Sequence, residues 1–231
     1  VGNPTGSKIV DAIITIVWIV GICNSINFFD NLDGGAAGTI AISSLALFVL
    51  GFDGKQYMIA ALSAVTAGAT IGFLLWNKSP ARIYMGDAGS LFIGFMMAYL
   101  GLKMRTTVTE IPQLFAPLVV LGVAVLDTTL VVVSRMRRGV SPFTGGQDHL
   151  SHRLRRLGLS VRRSVFILLL ASAALGGLAV ALSDAPAASG YWLLAAAVAS
   201  GVMATVLLTT KVARVAETEA SNIAPIRRNV G

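Results

Sequence analysis

Asn24, Asn27, Asp30 and Asp33 recur at every third position through NSINFFDNLDGGAAG (24–38), a polar segment set directly beside an apolar run. Carboxylates next to a bilayer are costly to desolvate, so an ordered row of them points to a bound cation or a polar substrate. On a helix, Asp30 and Asp33 would share a face at i and i+3, as would Asn24 and Asn27. Gly34, Gly35 and Gly38 would let a phosphate, a sugar or a neighbouring helix approach the backbone. The plainer reading is a polar turn with small residues for packing. A second cluster, Gly86-Asp87-Ala88-Gly89-Ser90, stands just before another apolar run. A helix beginning there would offer free N–H groups and a positive dipole to phosphate. Asp87 could hold magnesium, which takes one or two carboxylates plus substrate phosphates, or it could cap the helix.

Both histidines fall in the third cluster, Asp148-His149 to His152-Arg153. Their i, i+3 spacing lacks the third and fourth ligands that zinc takes. A cationic cradle of His149, His152 and Arg153 for a diphosphate fits better, because such groups neutralise spreading negative charge. A structural juxtamembrane role is the alternative. Asp127 adds a fourth element, about seven residues before the inner end of its apolar run, hence roughly 10 Å deep at 1.5 Å per residue. An acid inside a span faces the bundle interior or a wet cavity as a rule; the alternative is a structural hydrogen-bond acceptor, with Thr128 capping locally.

These residues must be positioned by oily helices. Of the 231 residues, 55% are hydrophobic and 13% charged, with mean hydropathy +0.77, against about 25% charged in soluble domains. Apolar runs of spanning character fall at Ile9–Cys23, Ala36–Phe52, Met58–Trp76, Leu91–Leu102, Leu114–Val133, Val165–Leu182 and Tyr191–Thr210. The expectation is an all-α, polytopic transmembrane bundle of seven spans. It forms a single integral membrane domain over 1–231, with cytoplasmic loops near 24–38, 77–90 and 135–163 and a basic cytoplasmic tail at 211–231.

Eight arginines lie between Arg135 and Arg163 with Asp148 as the only acid, so this loop is read as cytoplasmic. Counting spans back from it brings 77–90 and 24–38 to the same side, although the count did not assume that. Lys103 and Arg105 on the outer side run against the bias. The net charge of +7 therefore reads as topology and contact with anionic lipid. Nucleic-acid binding is excluded, since no basic helix is interleaved with base-stacking aromatics. Cys23 is the only cysteine and sits in an apolar run, where it reads as packing rather than chemistry. Lys8 before an apolar run loosely resembles a signal peptide, but no A-x-A site follows.

Taken together and in order, these strings resemble the polyprenyl-phosphate N-acetylhexosamine-1-phosphate transferases of glycosyltransferase family 4. Asn24–Gly38 is similar to that family's N-x-x-N-x-x-D-G-x-D-G-L-A-A-G, and Ile83–Leu91 (IYMGDAGSL) to its F-M-G-D-x-G-S-L. Leu126-Asp127-Thr128 and Arg138–Leu154 are similar to its D-T span and the following S-P-F…H-x-x-H-R-L loop. The resemblance runs over residues 9–163 and implies transfer of N-acetylhexosamine 1-phosphate from a UDP-sugar to a polyprenyl phosphate, with release of UMP. It implies Mg²⁺, or Mn²⁺ in its place, on Asp87. Asn24, Asn27, Asp30 and Asp33 would serve the nucleotide-sugar and metal region, and His149, His152 and Arg153 the sugar or diphosphate. The expected partners are a UDP-N-acetylhexosamine, a polyprenyl phosphate and the lipid bilayer, with a homodimer allowed.

The peptidoglycan branch carries a triple-histidine loop that this sequence lacks, which favours an N-acetylglucosamine-type substrate. Asn31 stands where relatives carry Gly, Gly35 where they carry Leu, Gly146 where Asp is common and Ser151 where His is common. The family also carries D-D-x-x-D in its first spans, whereas no adjacent aspartates occur here. The expectation is therefore the C-terminal portion of an enzyme, inactive alone. Two rival readings are a CDP-alcohol phosphotransferase and a non-catalytic transporter or scaffold. For the first, Asp30–Gly34 begins the D-x-x-D-G-x-x-A-R pattern, but Gly38 replaces its Arg. For the second, Asp127 would be a coupling acid, but no inverted repeat supports transport.

Overall fold

The computed structural model describes residues 6–104, 114–141 and 148–227. Arg105 and the whole segment 142–147, Gly146 included, lie outside the described residues. Among those described, nine helices follow one another: α1 (Lys8–Phe29), α2 (Gly35–Asp53), α3 (Tyr57–Asn77), α4 (Gly86–Lys103), α5 (Ala116–Val120), α6 (Gly122–Arg137), α7 (Leu150–Arg156), α8 (Val161–Asp184) and α9 (Ala187–Arg227). The fold is the expected all-α membrane bundle.

Five helices are long and apolar enough to cross a membrane: α1, α2, α3, α8 and residues Ala188–Lys211 of α9. The other two expected spans take different forms. The first turn of α4 is the polar Gly86–Ser90 string, which leaves fewer apolar residues in its 18. Leu114–Val133 is not one helix but α5 and α6, parted at Leu121 with φ −87° and ψ 7°. The expected loops are also shorter than the sequence suggested. α1 runs on through Asn24 and Asn27 to Phe29, and α9 carries the basic tail on as helix. Asparagine is only mildly unfavourable in a helix, and packing overrides so weak a preference.

Without a water-driven force between helices in lipid, close approach through small residues holds such bundles together. α1 and α4 are antiparallel neighbours. The indole Nε1–H of Trp18 donates to Ala98 O at 2.9 Å, and a Cβ on Gly94 would lie 2.8 Å from Cys23 Cα. α2 and α3 form a hairpin in which a Cβ on Gly51 would meet Ala60 N at 3.0 Å. α2, lined with Ala36, Ala37, Gly38, Ala41 and Ala46, is also covered by α8, which runs parallel to it. The alternation of directions brings the C-termini of α1, α3 and α6, the N-termini of α2, α4 and α8, and all of α7 to one end of the bundle.

Candidate functional site

The polar end is built by hydrogen bonds between the three sequence clusters. Asn27, in the last turns of α1, donates through Nδ2 to Asp87 Oδ1 at 3.1 Å and to Ser90 Oγ at 2.8 Å. Ser90 Oγ in turn donates to Gly86 O at 2.9 Å. These bonds fix the first turn of α4 against α1, with Asp87 exposed at the surface. Oδ2 of Asp87 has no hydrogen-bond partner among the described residues. Asp30 caps the C-terminus of α1, its N–H reaching Ile26 O and Asn27 O. Its half-buried carboxylate has no donor among the described residues. Burial first, and the Asp87 carboxylate second, push its pKa above the usual carboxylate range.

Residues 30–34 form a turn, so Asp30 and Asp33 do not share a helical face as the spacing predicted. Asp33 is used differently from Asp30: its Oδ2 accepts the Ala81 N–H at 3.1 Å and ties the turn to the loop after α3. Gly34 follows with φ +76°, and a Cβ there would sit 3.3 Å from Leu74 Cδ1 and 3.5 Å from Lys78 Cα. Only glycine adopts that conformation without strain. The Gly34 N–H donates to Asn77 Oδ1 at 3.0 Å, while Asn77 Nδ2 donates to Ile83 O at 2.9 Å. Asn24 bonds back to Val20 O of its own helix at 2.7 Å rather than to the cluster.

The histidine segment closes the other side. Asp127, fully buried on α6, has Oδ2 2.8 Å from His149 Nδ1 and accepts the Leu150 N–H at the start of α7 through Oδ1. Thr128 Oγ1 is buried without a partner and does not cap there. Asp148 takes Arg135 Nε at 3.1 Å and Arg138 Nη2 at 2.7 Å on its carboxylate, and Arg153 Nε at 2.9 Å on its carbonyl. Burial opposes ionisation of Asp148, but hydrogen bonds from Arg138 and Arg135 overcome it and hold its pKa below the usual range. Ser151 Oγ donates to Asn31 Oδ1, and the Phe28 ring meets His149 edge-on at 6.5 Å. The histidine helix is thus fastened to the same turn that carries Asp30 and Asp33.

The expected cationic cradle is altered in two places. Burial, followed by His149 and the Arg156 and Arg155 charges, holds His152 below its ordinary pKa and favours its neutral form. Arg153 is only 5% exposed and spends Nε on the Asp148 carbonyl. Among the described residues no three His, Cys, Asp or Glu side chains form a metal-holding group. That does not suit a zinc ion, which takes its ligands from the protein. Magnesium needs one or two carboxylates and draws its remaining oxygens from substrate and water. Two adjacent carboxylates with unused oxygens, repelling each other, fit that demand.

Sequence reasoning passed over Asn77, Asn31, Ser90 and Phe28 as site builders. Asn77 had a signal, a carboxamide ending an apolar run just before Lys78-Ser79-Pro80. The Asn31–Ser151 bond joins two positions already noted as departures from the motif.

Residues 3–105 match the model of a family described as glycosyl transferase family 4. A protein of Bacillus subtilis strain 168, described as a probable undecaprenyl-phosphate N-acetylglucosaminyl 1-phosphate transferase, is 38% identical over 157 residues, 68% of this chain and 44% of its own length. A decaprenyl-phosphate N-acetylglucosaminephosphotransferase of Mycolicibacterium smegmatis is 38% identical over 192 residues, 74% of this chain and 47% of its own. A phospho-N-acetylmuramoyl-pentapeptide-transferase of Streptococcus uberis is 34% identical over 104 residues, 45% of this chain and 31% of its own. The chain spans about half the length of the first two relatives. With its polar motifs held at one end of a helical membrane bundle, this chain belongs to glycosyl transferase family 4.

Proposed function

We propose that the protein containing this chain transfers N-acetylglucosamine 1-phosphate from a UDP-sugar to a polyprenyl phosphate. UMP is released, and the product starts a lipid-linked glycan of the bacterial cell envelope. The observation that carries this reading is the pair of under-used carboxylates, Asp30 and Asp87, at a polar end where the histidine helix is bonded to the same turn. The names of the two relatives matched over most of the chain favour N-acetylglucosamine as the sugar and a polyprenyl phosphate as acceptor. Arg135, Arg137, Arg138, Arg153, Arg155 and Arg156 gather at this end, which favours the cytoplasmic face of the plasma membrane.

In this reading the acceptor phosphate oxygen attacks the sugar-bearing phosphorus, a new P–O bond forms, and the bond to UMP breaks. Phosphoryl transfer asks chiefly for positioning and charge neutralisation. Asp87, with Asp30 beside it, would hold Mg²⁺ or Mn²⁺. Bound there, the ion would offset the negative charge of the sugar diphosphate. Asn27 orients Asp87, and Asp33 orders the 78–85 loop through Ala81. His149, His152 and Arg153 lie on the side that would face the diphosphate or sugar. The whole 1–231 segment acts as one integral membrane domain in this scheme.

The test uses the complete protein reconstituted in lipid with polyprenyl phosphate and labelled UDP-N-acetylglucosamine. Labelled prenyl diphosphate sugar and UMP should appear together, and Asp87→Asn should abolish both. Full turnover by that variant would overturn the assignment, while substrate uptake without UMP release would favour a transporter.

A further inference from the structure

Asp127 lies outside the carboxylate pair, deep on α6, and is 0% exposed. A carboxyl group so buried must be fully hydrogen-bonded to be tolerated. Both oxygens are used: Oδ2 faces His149 Nδ1 at 2.8 Å, and Oδ1 takes the Leu150 N–H. Oδ1 is already an acceptor for a backbone N–H, and a carboxylate has only acceptors to offer at its other oxygen. Opposite such an oxygen, the complementary tautomer of His149 is the one with its hydrogen on Nδ1. Its Nε2 has no partner among the described residues. The Phe28 ring packs against it in a T-shaped contact with centroids 6.5 Å apart, and the His152 ring lies tilted with its centroid 6.2 Å away. Phe28 itself is on the last turn of α1, two residues before Asp30.

We propose that Asp127 is a positioning residue that fixes the tautomer and orientation of His149, leaving Nε2 as the one ring atom offered to the substrate diphosphate or sugar. The proposal rests on the transferase reading for the identity of that substrate, but its geometry does not. The same carboxylate starts α7, so a single buried group sets both the helix and the ring it carries. A second atom reaching the ring from a different helix is what converts a mobile surface histidine into a directed one.

Asp127→Asn separates these two tasks. The carboxamide oxygen can still accept from Leu150 N–H, so α7 keeps its start. The carboxamide nitrogen then donates to Nδ1 and pushes the hydrogen to Nε2, the wrong-tautomer effect known for a buried Asp beside a catalytic His. The experiment is ¹⁵N NMR of the histidine rings in the complete protein, with the His149 signals assigned by their loss in His149→Gln. Wild type should show Nδ1 as N–H, and Asp127→Asn should show Nδ1 as the bare nitrogen with kcat/KM for UDP-N-acetylglucosamine lowered about tenfold or more. Asp127→Glu, which restores an acceptor-only group, should recover the Nδ1–H signal.

A wild-type spectrum with bare Nδ1 overturns the proposal, and that measurement stands even where the variants fail to fold. So does an Asp127→Asn protein with unchanged ring signals and turnover within twofold of wild type. Absence of any UDP-sugar turnover in wild type would defeat the transferase reading and leave the ring measurement to decide the role of Asp127.

Discussion

Replacing Asn77 with Ala tests whether one carboxamide holds the acidic turn to the loop that precedes Asp87. Asn77 is 3% exposed, and its two ends bond the Gly34 N–H at 3.0 Å and the Ile83 carbonyl at 2.9 Å. Alanine removes both partners at once. Gly34 is buried, so its N–H would lose about 1–3 kcal/mol as an unsatisfied donor. Ile83 is exposed, and its carbonyl can turn to water, so that bond is worth only its net value of about 0.5–1.5 kcal/mol. The expected loss is then about 1.5–4.5 kcal/mol, toward the lower end if a water enters and pairs Gly34. Equilibrium unfolding of the purified complete protein in detergent reads this directly. Turnover should fall as well, because the Asp33–Ala81 bond shares the same turn and loop. A variant within about 0.5 kcal/mol of wild type, the range of an ordinary surface substitution, would show that Asn77 does not hold these segments.

Gly94→Ala places a Cβ 2.8 Å from Cys23 Cα and 3.2 Å from its carbonyl oxygen, so α1 and α4 must part. Overpacking against backbone should cost about 1–3 kcal/mol and weaken the Asn27–Asp87 contact. Gly72→Ala, where nothing lies within 4 Å, should be neutral or stabilising by up to about 1 kcal/mol; equal effects in thermal melts would refute the packing argument. Because arginines depress the pKa of Asp148, its stabilisation is present above the unfolded carboxylate value of about 3.9 and is lost as pH falls through the lower folded value. Asp148→Asn should therefore flatten the fall in melting temperature on acidification below about pH 4. An unchanged slope would count against the Arg135–Asp148–Arg138 clamp.

How much of this was legible in the sequence follows from what each residue's signal depends on. Helix class and approximate span positions came from local hydropathy, which is why α1, α2, α3 and α8 agree with the expectation to within about two turns, while α9 starts near the expected place but runs on to Arg227. The break at Leu121 had a local signal that the hydropathy reading passed over, since Pro117 and Gly122 are the one proline and the one glycine of that run. Period-three spacing suggested that Asp30 and Asp33 share a helix face. Helix α1 instead ends at Phe29, ahead of both, and the two aspartates sit in a turn whose Gly34 adopts φ +76°. The Gly34 N–H in that turn is bonded to Asn77, forty-three residues away in sequence, a partner that no local pattern could name. Counting spans from the arginine loop brought the three clusters to one side, and Asn27–Asp87, Asp33–Ala81 and Asn31–Ser151 are the contacts that join them. The count could not distinguish residues that build the site from residues left with unused valence.

That distinction carries the chemistry. Asn77, Asp127 and Asp148 spend their polar atoms on backbone groups or on other side chains of this chain. Asp30, one oxygen each of Asp33 and Asp87, and Nε2 of His149 do not, among the described residues. In the proposed site, unpaired carboxylates would call for a cation, and an unpaired ring nitrogen at the start of a helix bearing Arg153, Arg155 and Arg156 would suit an anion. A free cation would satisfy only the first wall, and a free phosphate only the second. A divalent ion carried on a diphosphate satisfies both, because its positive centre and its negative oxygens are a few ångströms apart. The turn that bears Asp30 is bonded through Asn31 to the helix that bears His149, so the two walls are held at a fixed separation. Such a site would recognise the complex in preference to either part, which is what transfer from a nucleotide diphosphate sugar requires.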